Sequence, residues 1–215
     1  MMRQELHNDD CFNILWNMPD NSVQAVITDP PYGIDMDYGE GYNDTFENWC
    51  GLINKLIPEA IRVAKGPVFI PTSKMEGETY LHEHFPPKWR ICWYKGSLST
   101  RSPVGFKDWE QIFVYGDKIY GPAHDFFHIV PNIQKKYNHP CPKPIEWAKW
   151  FIKRFTKEGD LVLDPFMGTG TVPLACKMMD RGYIGIDLNR DFYEIAVKRL
   201  KYEGSQKNLQ FGLDK

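Results

Sequence analysis

The chain has 215 residues, a net charge of −2, 42% apolar and 25% charged side chains, which describes a folded protein with room for one full core. Without a run of about 18 apolar residues it has no membrane-spanning helix, and the opening MMRQELHNDD lacks the apolar centre of a signal peptide. The five cysteines (Cys11, Cys50, Cys92, Cys141 and Cys176) form no C-x-x-C pair, which fits reduced thiols in a cytoplasm and predicts neither a disulfide framework nor a metal site.

In chain order, Val23–Ile27 reads as a buried strand ending at Thr28-Asp29. Trp49, Leu52, Ile53, Leu56, Ile57, Ala60 and Ile61 recur at helical spacing, with Pro58 as a candidate kink. Val68–Ile70, Trp89–Tyr94 and Gln111–Tyr115 read as further strands. Pro144 fits a first helical position, opening a helix to about Phe155. Leu161–Asp164 is a strand running into a glycine loop, Thr171–Arg181 a helix closed by Gly182, Tyr183–Asp187 a strand and Arg190–Tyr202 a helix. Such alternation predicts an α/β fold, a mostly parallel sheet with helices on both faces, in a single domain over 1–215.

The small net charge hides a segregation. Gln4–Asn54 holds ten acids and no Lys or Arg; Lys88–Lys107 holds five basic residues and no acid; Asn132–Lys157 holds seven basic residues against Glu146 alone. Basic stretches interleaved with Trp89, Trp93 and Tyr94 fit a polyanion, and solvated strand and helix faces are the plainer alternative.

The segment DPFMGTGT, Asp164–Thr171, lies between a strand and a helix, and its glycines allow a tight turn and close approach of backbone to a ligand. Asp187 closes the next strand, where a carboxylate can accept hydrogen bonds from ribose hydroxyls. Pro173 stands where G-x-G-x-x-G would need its third glycine, and there is no Walker lysine. A nucleoside ligand without a pyrophosphate, such as S-adenosylmethionine, therefore fits better than NAD or ATP.

VITDPPYGID, Val26–Asp35, puts Asp-Pro-Pro-Tyr at the end of the first strand. Two prolines make a stiff turn by themselves. If that loop shares an edge with the glycine loop, however, Asp29 and the Pro30 carbonyl offer two acceptors for an exocyclic amine, whose lone pair is otherwise delocalised into a base. Pro31 stiffens the carbonyl's placement, and Tyr32 offers a flat face for an extruded base.

With these residues in place the chain resembles the S-adenosylmethionine-dependent DNA amino-methyltransferases that act on adenine N6 or cytosine N4, in the permuted beta class where DPPY precedes the F-x-G-x-G motif. NDDCFNILWNMPDNSVQAVITDPPY is similar to that family's opening, NHPCPKPIEWAKWFI to its H-P-x-x-K-P segment, GDLVLDPFMGTGT to its F-x-G-x-G segment, and YIGIDLNRDFYEIAVKRL to its ribose-binding strand and helix. The resemblance implies a Rossmann-like, circularly permuted, seven-stranded sheet with one antiparallel strand near an edge. It implies catalytic roles for Asp29, Pro30, Pro31 and Tyr32. For the cofactor it places Phe166, Gly168 and Gly170 at the methionine part, Asp187 at the ribose, Asp10 and Cys11 at the adenine ring and Lys143 near the carboxylate. Asp164, Thr169, Thr171 and Leu188 complete that set. Asp10 as a helix cap and Lys143 as a solvated lysine are the plainer alternatives.

The implied partner is double-stranded DNA, with Lys95, Arg101, Lys107, Lys135 and Lys136 as candidate phosphate contacts. The segments free for target recognition, 96–107 and 116–138, are short, which points to a short site, a second subunit or loose specificity. A homodimer and a cognate restriction endonuclease are candidate partners in a bacterial or phage setting. Asp at the head of the tetrapeptide favours adenine N6, since cytosine-N4 enzymes of this family more often carry Ser there. The alternatives are cytosine N4, an RNA methyltransferase and a non-catalytic DNA-binding relative. Pro140-Cys141 looks like the Pro-Cys of cytosine-C5 enzymes, but it lies upstream of the glycine loop and no Glu-Asn-Val follows, so that reading is rejected. Trp93, Trp147 and Trp150 are expected to be core or semi-buried packing rather than stacking platforms.

Overall fold

A computed structural model of the protein describes residues 2–39, 42–72, 74–96, 100–102, 105–116, 124–131 and 142–202. Lys135, Lys136, His139, Cys141 and most of the 116–138 segment lie outside the described residues.

In chain order the elements are β1 (Gln4–Asn8), α1 (Cys11–Leu15), β2 (Ala25–Ile27), α2 (Phe46–Val63), β3 (Val68–Thr72), α3 (Met75–His84), β4 (Trp89–Tyr94), β5 (Thr100–Ser102), β6 (Gly105–Lys107), β7 (Trp109–Tyr115), β8 (Phe126–His128), α4 (Ile145–Phe155), β9 (Leu161–Asp164), α5 (Thr171–Met178), β10 (Gly182–Asp187) and α6 (Arg190–Tyr202). Eight strands make one sheet in the order β1-β10-β9-β2-β3-β7-β4-β8, and β5 and β6 form a separate hairpin. Among the described residues only β7 runs against the rest of that sheet, pairing antiparallel with β3 on one side and β4 on the other. The count is eight rather than seven because the three-residue β8 pairs parallel with β4 at the edge.

The alternation of side chains along the strands builds a core on each face. Val26, Val68, Ile70, Phe113 and Ile184 point to the side covered by α1, α2 and α3, against Trp49, Ile53, Leu56 and Leu81. Ile27, Phe69, Ile112, Val114 and Val162 point to the opposite side, against Trp147, Phe151, Ala175 and Leu200 of α4, α5 and α6. Trp93 and Trp147 are interior, 2% and 1% exposed. Trp150 is half-buried and carries the Arg154 guanidinium over its ring at 4.4 Å.

Three elements escape the sequence pattern for physical reasons. β1 reads QELHN, polar except for Leu6, and is specified by parallel pairing to β10 rather than by an apolar run. α3, MEGETYLHEH, buries only Gly77 and Leu81, too few for a helical stripe. β8 is a three-residue edge strand of which only Phe127 is buried.

Two helix boundaries also move. Pro144 is the residue before α4, with extended ψ of 147°, rather than its first helical residue. α5 ends at Met178 and the turn is made by Asp180 at φ 60°, not by Gly182. Gly182 instead opens β10, where a Cβ would stand 2.8 Å from the Arg3 carbonyl oxygen.

Candidate active site

The parallel strands β1, β10, β9, β2 and β3 all finish at one edge. From β9 the chain crosses through α5 to β10 on one side, and from β2 through α2 to β3 on the other, so the strand order diverges between β9 and β2. A crevice opens at such a point in an open α/β sheet, and ligands collect there. The two predicted motifs, far apart in sequence, leave from adjacent strands into this crevice. Thr28 Oγ1 ties them by donating to Asp164 Oδ1 at 2.8 Å.

A cavity of about 1040 Å³ occupies the crevice. Asp10, Cys11, Asp29, Pro30, Pro31, Tyr32, Lys143, Asp164, Phe166, Gly168, Thr169, Thr171, Asp187 and Leu188 all line it, so the predicted catalytic and cofactor positions converge on one space. Gly170 does not. It sits at φ 82° as the cap of α5, and a Cβ there would stand 2.8 Å from the Ala196 Cβ and 3.1 Å from Leu200. Its small size serves the approach of α6, a packing reason that the glycine pattern did not show.

At the cofactor end, Asp187 accepts from the Gly168 amide at 2.8 Å through one oxygen and from the Asn189 amide at 2.9 Å through the other. Gly168 takes φ 51°, the left-handed turn that brings its N–H round to the carboxylate. Burial pushes the Asp187 carboxyl up to about 6 even though both amides pull it down. Asp164 is more extreme: only 3% exposed, it is pushed to about 8 by burial, against hydrogen bonds from Thr28 and the Phe166 amide. Asp10 combines two readings, since its carboxylate caps α1 through the Phe12 amide at 2.9 Å while lining the cavity. Cys11 is 5% exposed, and burial raises its thiol far above the ordinary range, so it is an apolar wall rather than a nucleophile.

At the other end lies the tetrapeptide. Tyr32, 7% exposed, donates its hydroxyl to Asp29 Oδ1 at 2.7 Å. Lys143 Nζ stands 3.0 Å from Asp29 Oδ2 and 3.0 Å from the Tyr32 hydroxyl, with the ammonium 5.0 Å from the centre of the tyrosine ring. Lys143 is therefore not a solvated lysine; its side chain is 7% exposed. It also reaches Glu110 Oε2 at 3.6 Å, and Glu110 Oε1 accepts from Lys95 at 2.9 Å. Burial pushes Glu110 up, but Lys143, Lys95 and Lys107 outweigh it and the carboxyl falls below its ordinary value.

Two residues that shape the site were not singled out in the sequence. Glu110 lies one residue ahead of the strand predicted from Gln111, within β7, and lines the cavity. Asp44, 1% exposed, accepts from the amides of Gly33 at 2.7 Å and of Ile34 and Met36 at 3.2 Å, fixing the backbone that leaves Tyr32. An acid just ahead of a helix, beside an irregular stretch with unpaired amides, is the signal that would have marked Asp44.

The basic set is redistributed. Lys95 is spent on Glu110 inside the protein, which removes it from the candidate phosphate contacts. Lys107 holds Glu78 at 3.1 Å. Arg101 lies in β5, opposite Phe106 in the hairpin register, and Phe106 is 70% exposed. Among the described residues no cluster of His, Cys, Asp and Glu could hold a metal ion, and no helix is long and apolar enough to cross a membrane.

A cavity at the switch point, lined by the Asp187 carboxylate and by the Asp-Pro-Pro-Tyr loop, is a crevice of the kind in which an open α/β sheet holds a small ligand. Residues 90–198 match the N6/N4 methyltransferase family described as DNA methylase, and the chain belongs to these S-adenosylmethionine-dependent DNA amino-methyltransferases. It is 30% identical over 239 residues to the type II methyltransferase M.HpaI of Haemophilus parainfluenzae, covering 94% of this chain and 76% of that protein. To M.BamHI of Bacillus amyloliquefaciens it is 28% identical over 254 residues, covering 95% of this chain and 59% of the relative's length. Among solved structures, the cytosine-N4-specific PvuII DNA methyltransferase superposes with a TM-score of 0.74 at 13% identity, over 99% of this chain and 88% of that one. The M1.HpyAVI complex with S-adenosylmethionine gives a TM-score of 0.66 at 25% identity, over 91% and 98%.

The residues present suit that cofactor. Asp187 has lone pairs beyond its two amide contacts for ribose hydroxyls. The cavity is as large as a small-molecule site requires and is walled by Cys11, Phe12, Phe166 and Phe192, apolar surface that suits an adenine ring.

Proposed function

We propose that the protein methylates the N6 amine of adenine in double-stranded DNA at a short target site. The observation that carries this reading is that Asp29 and Pro30 line the same cavity as Asp187 and Gly168. S-adenosylmethionine, held by Asp187 and the Gly168 loop, would supply the methyl group from its sulfonium and leave as the neutral thioether, with the proton displaced from the amine passing to solvent.

The protein's own work is to make that amine a nucleophile. Asp29 and the Pro30 carbonyl accept its two N–H groups, favouring the form whose lone pair points at the methyl carbon. The Pro30-Pro31 pair holds the carbonyl's direction, so little reorganisation accompanies the reaction. An amine on a base stacked inside a duplex cannot be enclosed in a cavity, so the adenine is extruded, at a cost of a few kcal/mol in lost stacking and pairing. It is received against Tyr32, which lines the same cavity. Arg101 and Lys107, on the two strands of the hairpin in segment 96–107, are the candidates to meet the phosphates, as are Lys135 and Lys136 by their place in the sequence.

Cytosine N4 is the second reading, because the same two acceptors serve its exocyclic amine. Asp rather than Ser at position 29 favours adenine. Incubation with labelled S-adenosylmethionine and unmodified genomic DNA, followed by digestion to nucleosides, separates the readings. Label in N6-methyladenosine is expected; label in N4-methylcytosine would move the assignment to the second reading, and no label in either would sink both.

A further inference from the structure

Asp29 belongs to a buried group of four charges drawn from four places in the fold: Asp29 after β2, Lys143 ahead of α4, Glu110 on β7 and Lys95 after β4. The side chains of Lys143, Glu110 and Lys95 are 7%, 9% and 9% exposed, and that of Asp29 is 25% exposed, toward the cavity. Two ammoniums and two carboxylates balance only while Asp29 is ionised. We propose that Lys143 is a positioning residue for methyl transfer: its ammonium, held between Glu110 and Asp29, keeps the Asp29 carboxylate ionised and aimed at the acceptor amine. The proposal rests on the reading of Asp29 as the amine's acceptor.

The forces on Asp29 make this necessary. Burial raises its carboxyl, and the negative Glu110 adds to the rise; Lys143 and the Tyr32 hydroxyl oppose them, and the net remains upward. Asp164 lies across the strand gap behind Thr28 and is raised in turn by the charge on Asp29. Tyr32 stabilises the anion as a donor but brings no charge. Lys143 at 3.0 Å is the counter-ion in direct contact with Asp29, since Lys95 is bonded to Glu110 instead. A protonated Asp29 would present an O–H where the amine needs an acceptor, and the second N–H would lose its partner.

This assignment differs from the resemblance-based expectation, which puts Lys143 near the cofactor's carboxylate, and the two separate experimentally. Single-turnover methylation rates on unmodified genomic DNA and S-adenosylmethionine Kd values are measured from pH 5.5 to 9 for the wild type, Lys143→Met, Lys143→Arg and Asp29→Asn. For Lys143→Met the acid limb of the rate profile should move up by about one to three pH units. The rate at pH 7 should then fall about tenfold or more and recover as pH rises, with Kd within about threefold of wild type. Lys143→Arg should hold the limb near its wild-type position.

A Lys143→Met limb that stays in place overturns the proposal, as does a tenfold rise in Kd without a shift, which would assign Lys143 to the cofactor. If Lys143→Met does not fold, Lys143→Met with Glu110→Gln removes one charge of each sign. It should still move the limb upward, because Lys143 acts on Asp29 more strongly than Glu110 does, and an unmoved limb is equally fatal. Asp29→Asn should be inactive with cofactor affinity intact. An active Asp29→Asn would overturn the reading of Asp29 itself, whereas inactivity with an unmoved Lys143→Met limb overturns only the role given to Lys143.

Discussion

Asp187 carries opposing influences on one carboxyl. Two amides hold its charge in place, and burial drives its pKa up to about 6 regardless, which puts its titration inside the range where the protein can be studied. Ribose hydroxyls donate to the ionised form, so deprotonation favours the cofactor and protonation opposes it. Cofactor affinity should therefore be level above about pH 7 and fall as pH drops through 6, approaching a tenfold rise in Kd per unit below it. Calorimetric titration between pH 5 and 8 checks this. Asp187→Asn should bind more weakly and without that slope, and a wild-type Kd independent of pH would remove Asp187 from the ribose.

At the scale of elements, the contact between α5 and α6 is set by a single missing side chain. Gly170 turns the chain into α5 in a left-handed conformation, and α6 packs onto it through Ala196 and Leu200. Gly170→Ala would add both strain at φ 82° and a 2.8 Å clash, so a loss of about 1–3 kcal/mol is expected in a denaturant melt. Because Gly170 is off the cavity wall, cofactor Kd measured on the folded fraction should change little; a selective loss of cofactor binding at full stability would return Gly170 to the ligand.

Strand geometry also divides the basic stretch at 88–107. The six residues of β4 span about 20 Å. Lys88 and Arg90 therefore sit by the edge where β4 begins, while Lys95 and the β5–β6 hairpin sit by the edge where β4 ends. What reads as one patch in the sequence is two, and only the second shares an edge with the cavity.

For the whole molecule, the crevice concentrates carboxyls that hold their protons to higher pH than the unfolded chain does. Asp164 at about 8, Asp187 at about 6 and Asp29, also raised, bind protons in the folded state that the unfolded chain has released above its ordinary Asp value of 3.8. The stability they contribute is full below about pH 4 and is lost as pH rises through each folded-state value, at up to about 1.4 kcal/mol per pH unit per group. Glu5 and Glu110 are shifted the other way, and act below the ordinary Glu value of 4.5, outside this window. The cofactor-free protein should therefore have a Tm that declines from pH 5 to 8. Asp164→Asn keeps an acceptor for Thr28 and should flatten that decline; a Tm that rises with pH would show that these three carboxyls do not govern the slope.

What was legible in the sequence was local. Strand, turn and helix follow one another within a few residues at VITDPPY and LVLDPFMGTGT, so hydrophobic period and glycine placement marked the α/β class and both ends of the site. What only the tertiary structure decided depends on partners that the chain brings together from afar. Lys143 meets Tyr32 across 111 residues and Thr28 meets Asp164 across 136, and no spacing rule encodes such distances. The burial of Lys95 on Glu110, the packing reason for Gly170 and the charge balance around Asp29 are of this kind. Ionisation is set by the three-dimensional surroundings of a group, so the residue types at the site could be read from the chain, but the state of its central carboxylate could not.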